Sequence, residues 1–180
     1  MAVTSAVLSV AEFSALPQPG GGVRQELHHG ELFESPPVKL LHTIVQKRLV
    51  TLLEAALGPA TFGVDKEFPF RPLPEHEVWV ADVAVYRVAA EEEMFGDDYY
   101  RGVPVAVIEV LSPSNTASEM LDRETMCLRN GGYEFWLVDP KRETVKVVTA
   151  GGQSIVYGVD DVVTSNALGV AVSVREIFYS

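Results

Sequence analysis

Two acidic residues occur in segments that are otherwise apolar and that read as β-strands. Asp82 lies within residues 79–86, and Glu109 lies within residues 103–111. A carboxylate buried in a strand is costly in free energy unless a partner stabilises it. If the two strands are neighbours, the two acids could bind one Mg²⁺ or Mn²⁺ ion and leave coordination positions for water and a phosphate oxygen. The pattern therefore predicts a metal site or an acid/base pair.

Other charged residues could assist such a site, and each also has an ordinary explanation. Arg123 lies on the predicted helix after the Glu109 strand, where it could orient a phosphate. It could equally pair with Glu119 at the four-residue helical spacing. Glu119 in turn fits a helix capping box with Thr116.

Two residues nearer the N-terminus are weaker candidates. Glu26 could add a carboxylate to the site, although an exposed glutamate beside a predicted hairpin is ordinary. His42 falls beside the apolar stripe of the longest predicted helix. We expect it to be a packed histidine rather than a ligand.

Hydrophobic spacing and turn residues predict the elements that would position these side chains. A helix over residues 10–16 and a flexible tract precede a hairpin of residues 24–27 and 31–34. Further helices are predicted at 36–57 and 116–130, strands at 61–70, 79–86 and 103–111, a meander at 133–157 and an exposed acidic loop at 90–98. This order predicts an α/β or α+β fold with a mixed central sheet flanked by helices. We expect residues 1–22 to form an N-terminal helix and flexible lead, and residues 23–180 to form a single domain.

Composition restricts the function classes. With 47% hydrophobic and 22% charged residues, the 180-residue chain is an average globular sequence rather than a disordered or membrane protein. Its net charge of −11 repels polyanions unless a basic groove or bound divalent cations offset it. Cys127, the single cysteine, excludes an intrachain disulfide. The first residues lack the positive opening of a signal peptide, so we expect a cytoplasmic protein without a membrane span.

Several blocks resemble one family. Residues 81–86, 107–114 and 131–140, together with 26–32 and Pro36-Pro37 before His42, are similar to the Uma-two family of bacterial restriction-endonuclease-like proteins. That family belongs to the PD-(D/E)XK nuclease superfamily and implies its restriction-endonuclease-like fold. The resemblance covers about residues 24 to 150.

The resemblance assigns roles by position. Asp82 stands at the first metal-binding aspartate and Glu109 at the second acid, and the Val110 carbonyl would complete the set for Mg²⁺ or Mn²⁺. Arg123 stands where this family has a lysine, and arginine cannot be deprotonated or tuned as lysine can. Cys127 occupies a position that is often tyrosine.

These assignments lead to two hypotheses. The first is a metal-dependent endonuclease that hydrolyses DNA phosphodiester bonds, weakened by Arg123 and assisted by Glu26. The second is a catalytically inactive member that uses the fold as a binding or assembly module. The sheet edges also predict a homodimer.

Overall fold

The structure is a computed structural model that describes residues 7–37, 39–58, 61–88 and 99–179. The helices are α1 (Val10–Ser14), α2 (Leu40–Leu57), α3 (Ala117–Arg129) and α4 (Val174–Phe178). The strands are β1 (Arg24–His28), β2 (Glu31–Ser35), β3 (Phe62–Arg71), β4 (Trp79–Arg87), β5 (Tyr100–Arg101), β6 (Ala106–Val110), β7 (Glu134–Asp139), β8 (Thr144–Thr149), β9 (Ser154–Tyr157), β10 (Val162–Ser165) and β11 (Val170–Ser173).

A mixed sheet forms the centre of the molecule. Within the described residues its seven strands follow the order β5-β3-β4-β6-β7-β8-β9. β6 and β7 are parallel and are joined through α3, whereas β3, β4 and β6 are antiparallel neighbours. This arrangement confirms the predicted mixed sheet flanked by helices.

The two faces of the sheet carry different hydrophobic cores. The first core packs Val45, Leu49 and Leu53 of α2 against the sheet, with β10, β11 and α4 closing it. The second core contains Phe135 of β7 and Cys127 of α3. Successive side chains of β6 point alternately into the two cores. The strand is apolar apart from Glu109, because both of its faces are covered.

The β1–β2 hairpin forms a small sheet of its own. It is attached to the rest of the molecule by a bridge between Leu27 and Val78. Val10 and Phe13 of α1 pack with these two residues in a third, smaller cluster. The hairpin therefore depends on side-chain contacts for its position, because a two-stranded sheet is marginally stable alone.

Side chains of a strand normally alternate between the two faces of a sheet, but β3 and β4 shift this alternation part-way along. On β3, Val64 packs into the first core and Phe68 into the second, although both occupy even positions. On β4, Val83 packs into the first core and Ala81 into the second. Both strands therefore change faces at the same level of the sheet.

The change of face falls at two acidic residues. Glu67 has a φ of 52°, which a side chain other than glycine rarely adopts. Asp82 lies between Val83 and Ala81, which pair with the residues on either side of Glu67. Asp82 is therefore placed where donors from both sides of the sheet can reach it.

Several element boundaries differ from the sequence expectations. Helix α2 begins at Leu40 rather than at Pro36, and α1 ends at Ser14. The final elements β10, β11 and α4 were not predicted, and the predicted acidic loop at 90–98 lies outside the described residues. The capping box is confirmed, because the Thr116 side chain accepts from the Glu119 N–H and Glu119 accepts from the Thr116 N–H.

Candidate functional site

Asp82 is buried on β4 and has partners at both carboxylate oxygens. Its Oδ1 accepts hydrogen bonds at 3.2 Å from Nη1 of Arg24 and from Nε2 of Gln46. Its Oδ2 accepts the backbone N–H of Val110 at 2.8 Å and lies 2.9 Å from Nε2 of His42. The carboxylate is thus held between β1, α2 and β6.

Glu109 lies beside Asp82 at the end of the β4–β6 ladder. Val83 and Ile108 are paired in the antiparallel register. Asp82 precedes Val83 and Glu109 follows Ile108, so the two acids lie opposite each other one position beyond that pair. Oε1 of Glu109 accepts a hydrogen bond from Nη1 of Arg123 at 3.0 Å. Burial has the largest effect on Glu109 and, although Arg123 opposes it, burial and the charge of Asp82 raise the pKa of Glu109 to about 8. The carboxyl group of Glu109 is therefore harder to ionise than that of an ordinary glutamate.

Glu26 connects the hairpin to α3. Its Oε2 accepts hydrogen bonds from Nη2 of Arg123 and from the Val80 N–H, and lies 2.9 Å from Nε2 of His28. Its Oε1 lies 3.0 Å from Nε of Arg24. Burial raises the pKa of Glu26, but Arg123, His28 and Arg24 outweigh it and lower that pKa to about 2. Glu26 is therefore ionised and draws Arg123 toward the hairpin.

The aromatic rings of Trp79, His28 and Phe33 pack against this network. The Arg123 guanidinium carbon lies 5.3 Å from the centre of the Trp79 ring. His28 stacks between Trp79 and Phe33, with ring centroids 4.4 and 4.8 Å away. Nε1 of Trp79 donates to Glu77 at 2.6 Å, which fixes the indole. The stack holds Arg123 and His28 in one orientation each.

The four predicted catalytic residues converge. Asp82, Glu109, Glu26 and Arg123 belong to one network of buried charges, linked through Arg24. The expectation that Glu26 is an ordinary exposed glutamate is wrong, because it is 1% exposed.

Two other expectations for α3 and β6 have clear outcomes. The alternative pairing of Arg123 with Glu119 is wrong, since Arg123 contacts Glu26 and Glu109 while Glu119 caps its own helix. Val110 contributes its N–H to Asp82. A role for its carbonyl as a metal ligand stays a prediction.

Gln46, Arg24 and Glu67 are among the residues of the network that the sequence analysis missed. Gln46 donates to Glu67 at 2.6 Å, and Arg24 donates to Glu67 at 3.3 Å. Gln46 follows His42 by four residues, so two polar residues on the buried helix face were a usable signal. Arg24 and Glu67 had no such signal in the sequence. The position of Arg24 depends on how the hairpin docks, and that of Glu67 depends on its left-handed backbone.

Comparison with protein families identifies the chain. The model of the Uma2 family, described as "Putative restriction endonuclease", matches residues 10–175. The chain belongs to the Uma2 family.

A solved structure has the same fold as this Uma2 chain. It is a protein from Anabaena variabilis described as a "putative nuclease belonging to DUF820". The two chains share 21% identity with a TM-score of 0.80, and the match covers 95% of this chain and 97% of the other. No curated protein matches the chain. Within the described residues, no helix is both long and apolar enough to span a membrane.

The donor chemistry of the Uma2 site suits a hard divalent cation. Among the described residues of the network there are four carboxylates and two guanidiniums: Glu26, Glu67, Asp82, Glu109, Arg24 and Arg123. The carboxylates therefore outnumber the guanidiniums by four to two. Oxygen ligands with uncompensated charge are those that Mg²⁺ and Mn²⁺ prefer.

The ligand set is nevertheless incomplete as it stands. In the part of the chain that the structure describes, no three His, Cys, Asp or Glu side chains converge as a metal-binding group. A bound ion would therefore need water or phosphate oxygens to complete its coordination shell, which is usual for Mg²⁺.

Proposed function

We propose that this Uma2 chain is a metal-dependent endonuclease that hydrolyses DNA phosphodiester bonds. The observation that carries the proposal is the position of Asp82 and Glu109, which lie side by side at the end of the β4–β6 ladder. Asp82 also accepts the N–H of Val110, the residue after Glu109. Two adjacent carboxylates of this kind suit phosphodiester hydrolysis better than any other chemistry at the site.

Asp82 and Glu109 would hold Mg²⁺ or Mn²⁺, with the Val110 carbonyl as a third ligand. When bound, the ion would lower the pKa of a water molecule and stabilise charge on the phosphate. A bound cation would favour the ionised form of Glu109. Asp82 would bind the ion through Oδ2, because Arg24 and Gln46 both donate to its Oδ1.

Arg123 and Glu26 would act as a hydrogen-bonded pair. Arg123 would orient a phosphate and stabilise its charge through the guanidinium. Glu26 would position Arg123 by holding Nη2, so that Nη1 remains directed toward Glu109. Arginine in this place limits the reaction, since it cannot take up a proton from water.

A plasmid-nicking assay with Mn²⁺ tests the proposal. We expect the purified wild-type protein to convert supercoiled plasmid to the open circle, and Glu109→Gln and Asp82→Asn to do so at least about 100-fold more slowly. Asp122→Asn is the matched control, because Asp122 is a half-exposed carboxylate on α3 outside the network. Equal cleavage by wild type and Glu109→Gln would exclude the proposed site.

A second candidate function is a catalytically inactive binding or assembly module. It is favoured by the engagement of Arg123 with two buried carboxylates, in the position where the family resemblance implies a lysine. Arg123→Lys distinguishes the candidates. Nicking that appears or rises in Arg123→Lys indicates an intact site weakened by arginine, whereas no nicking and no Mn²⁺ binding by either protein favours the module.

DNA and a second copy of the chain are the proposed partners. The edge strand β9 exposes Ile155 and Val156 at 52% and 63%, which is unusual for an unprotected sheet edge. A homodimer would place two sites for cuts in duplex DNA. Sedimentation equilibrium checks this expectation, since a monomer at micromolar concentrations would contradict it. A cytoplasmic location remains part of the proposal.

A further inference from the structure

His42 is a buried histidine that lies next to Asp82. It lies on α2, is 8% exposed, and places Nε2 2.9 Å from Oδ2 of Asp82. Despite this distance, neither Nε2 nor Nδ1 has a hydrogen-bond partner. A buried polar atom without a partner is costly, so such atoms need a physical explanation.

The separation of these two atoms suits a shared ion. Two ligand atoms about 2.1 Å from an octahedral cation, at right angles to each other, are about 3.0 Å apart. Nε2 of His42 and Oδ2 of Asp82 are separated by nearly this distance without forming a hydrogen bond. The distance between Nε2 of His42 and Oδ2 of Asp82 is therefore that of two neighbouring ligands of one ion.

Helix α2 fixes this arrangement. His42 and Gln46 are one turn apart on the same face, and each addresses a different oxygen of Asp82. Val45, Leu49 and Leu53 anchor that face in the first core. The imidazole is thus positioned by the most buried part of the helix.

We propose that His42 is a metal ligand of this site, bound through Nε2 beside Asp82, and that it makes the site prefer Mn²⁺ to Mg²⁺. This inference rests on the proposed metal-dependent function and adds a ligand to it. Imidazole nitrogen binds transition-metal ions more readily than it binds Mg²⁺, which favours oxygen. The nitrogen donor also supplies one ligand that the carboxylates do not.

Pulsed electron paramagnetic resonance of the Mn²⁺-loaded full chain tests the proposal without an activity measurement. We expect a ¹⁴N coupling from a directly bound imidazole, which changes to a ¹⁵N pattern when the histidines are ¹⁵N-labelled. The coupling should disappear in His42→Ala and persist in His76→Gln, which alters a histidine outside the network. Titration by calorimetry should show Mn²⁺ binding about 10- to 100-fold weaker in His42→Ala, with a smaller loss for Mg²⁺.

The outcomes separate this inference from the proposed function. Mn²⁺ binding that is lost in Asp82→Asn but shows no nitrogen coupling in the wild type would overturn the role of His42 and leave the metal site standing. No Mn²⁺ binding by the wild type would overturn both. Because the wild-type spectrum decides the first point, the test does not depend on whether a variant folds.

Discussion

Replacing Arg123 with methionine should destabilise the protein strongly. Arg123 is 7% exposed, and its guanidinium contacts Glu26, Glu109 and the Val80 carbonyl. Methionine keeps much of the side-chain volume but leaves Glu26 buried without its principal cation. Breaking a buried ion pair from one side costs about 3 to 5 kcal/mol.

The lowered pKa of Glu26 gives a second value for the free energy with which its partners stabilise the carboxylate. Its fall from 4.5 to about 2 corresponds to about 3 kcal/mol, at about 1.4 kcal/mol per unit. Because this pKa is lowered in the folded state, the stabilisation is present above pH 4.5 and is lost as the pH falls toward 2. The cost of Arg123→Met should therefore be smaller at pH 4 than at pH 7.

Urea unfolding followed by tryptophan fluorescence measures this cost, because Trp79 and Trp136 are both fully buried. Arg129→Met, an exposed change on the same helix, should alter the free energy of unfolding by less than about 0.5 kcal/mol. Adding Glu26→Gln to Arg123→Met should recover part of the loss, since the unpaired charge is then gone. The reasoning is refuted if Arg123→Met lies within 1 kcal/mol of the wild type at pH 7, or if Glu26→Gln recovers nothing.

Three further outcomes are expected. Thr116→Ala should lower the free energy of unfolding by about 1 kcal/mol through loss of the Glu119 capping box, and Ser118→Ala by less; equal losses would contradict the cap. Because the pKa of Glu109 is raised, wild-type stability should fall as the pH rises from about 4.5 to about 8, by up to about 1.4 kcal/mol per pH unit. In urea titrations, the free energy of unfolding of Glu109→Gln should not fall with pH in this way. Parallel pH dependences of the wild type and Glu109→Gln would contradict this expectation. Burial raises the pKa of the Cys127 thiol, so a thiol reagent should label it slowly in buffer and quickly in denaturant; rapid labelling of the folded protein would rule this out.

The sequence was informative wherever local chemistry determined the structure. The isolated acids Asp82 and Glu109 marked neighbouring strands, and Thr116 with Glu119 marked the start of α3. Each of these signals depends on residues close together in the chain, or on apolar runs that predict strands without reference to partners.

The sequence was less informative where distant segments meet. Glu26 looked like an ordinary hairpin glutamate because nothing nearby in the chain shows that Arg123 docks against it. The φ of Glu67 has no sequence marker, yet the change of face at this level places Asp82 among its donors. The sequence analysis also missed β10, β11 and α4. Their apolar segments are too short to predict an element alone, and their role is visible only in the fold, where they close the first core over α2.

The hairpin that carries Arg24 and Glu26 has its own two-stranded sheet, and the ion pairs of the network add to the Leu27–Val78 bridge that attaches it. Glu26 therefore both anchors this segment and lies beside the proposed metal site. Substitutions that free Arg123 for a phosphate would also loosen the hairpin, whereas those that tighten the hairpin would draw the guanidinium away from substrate. In the proposed nuclease, selection for turnover and selection for a stable fold would act in opposite directions on Arg123 and Glu26. Members of the family could therefore keep the architecture while losing the reaction.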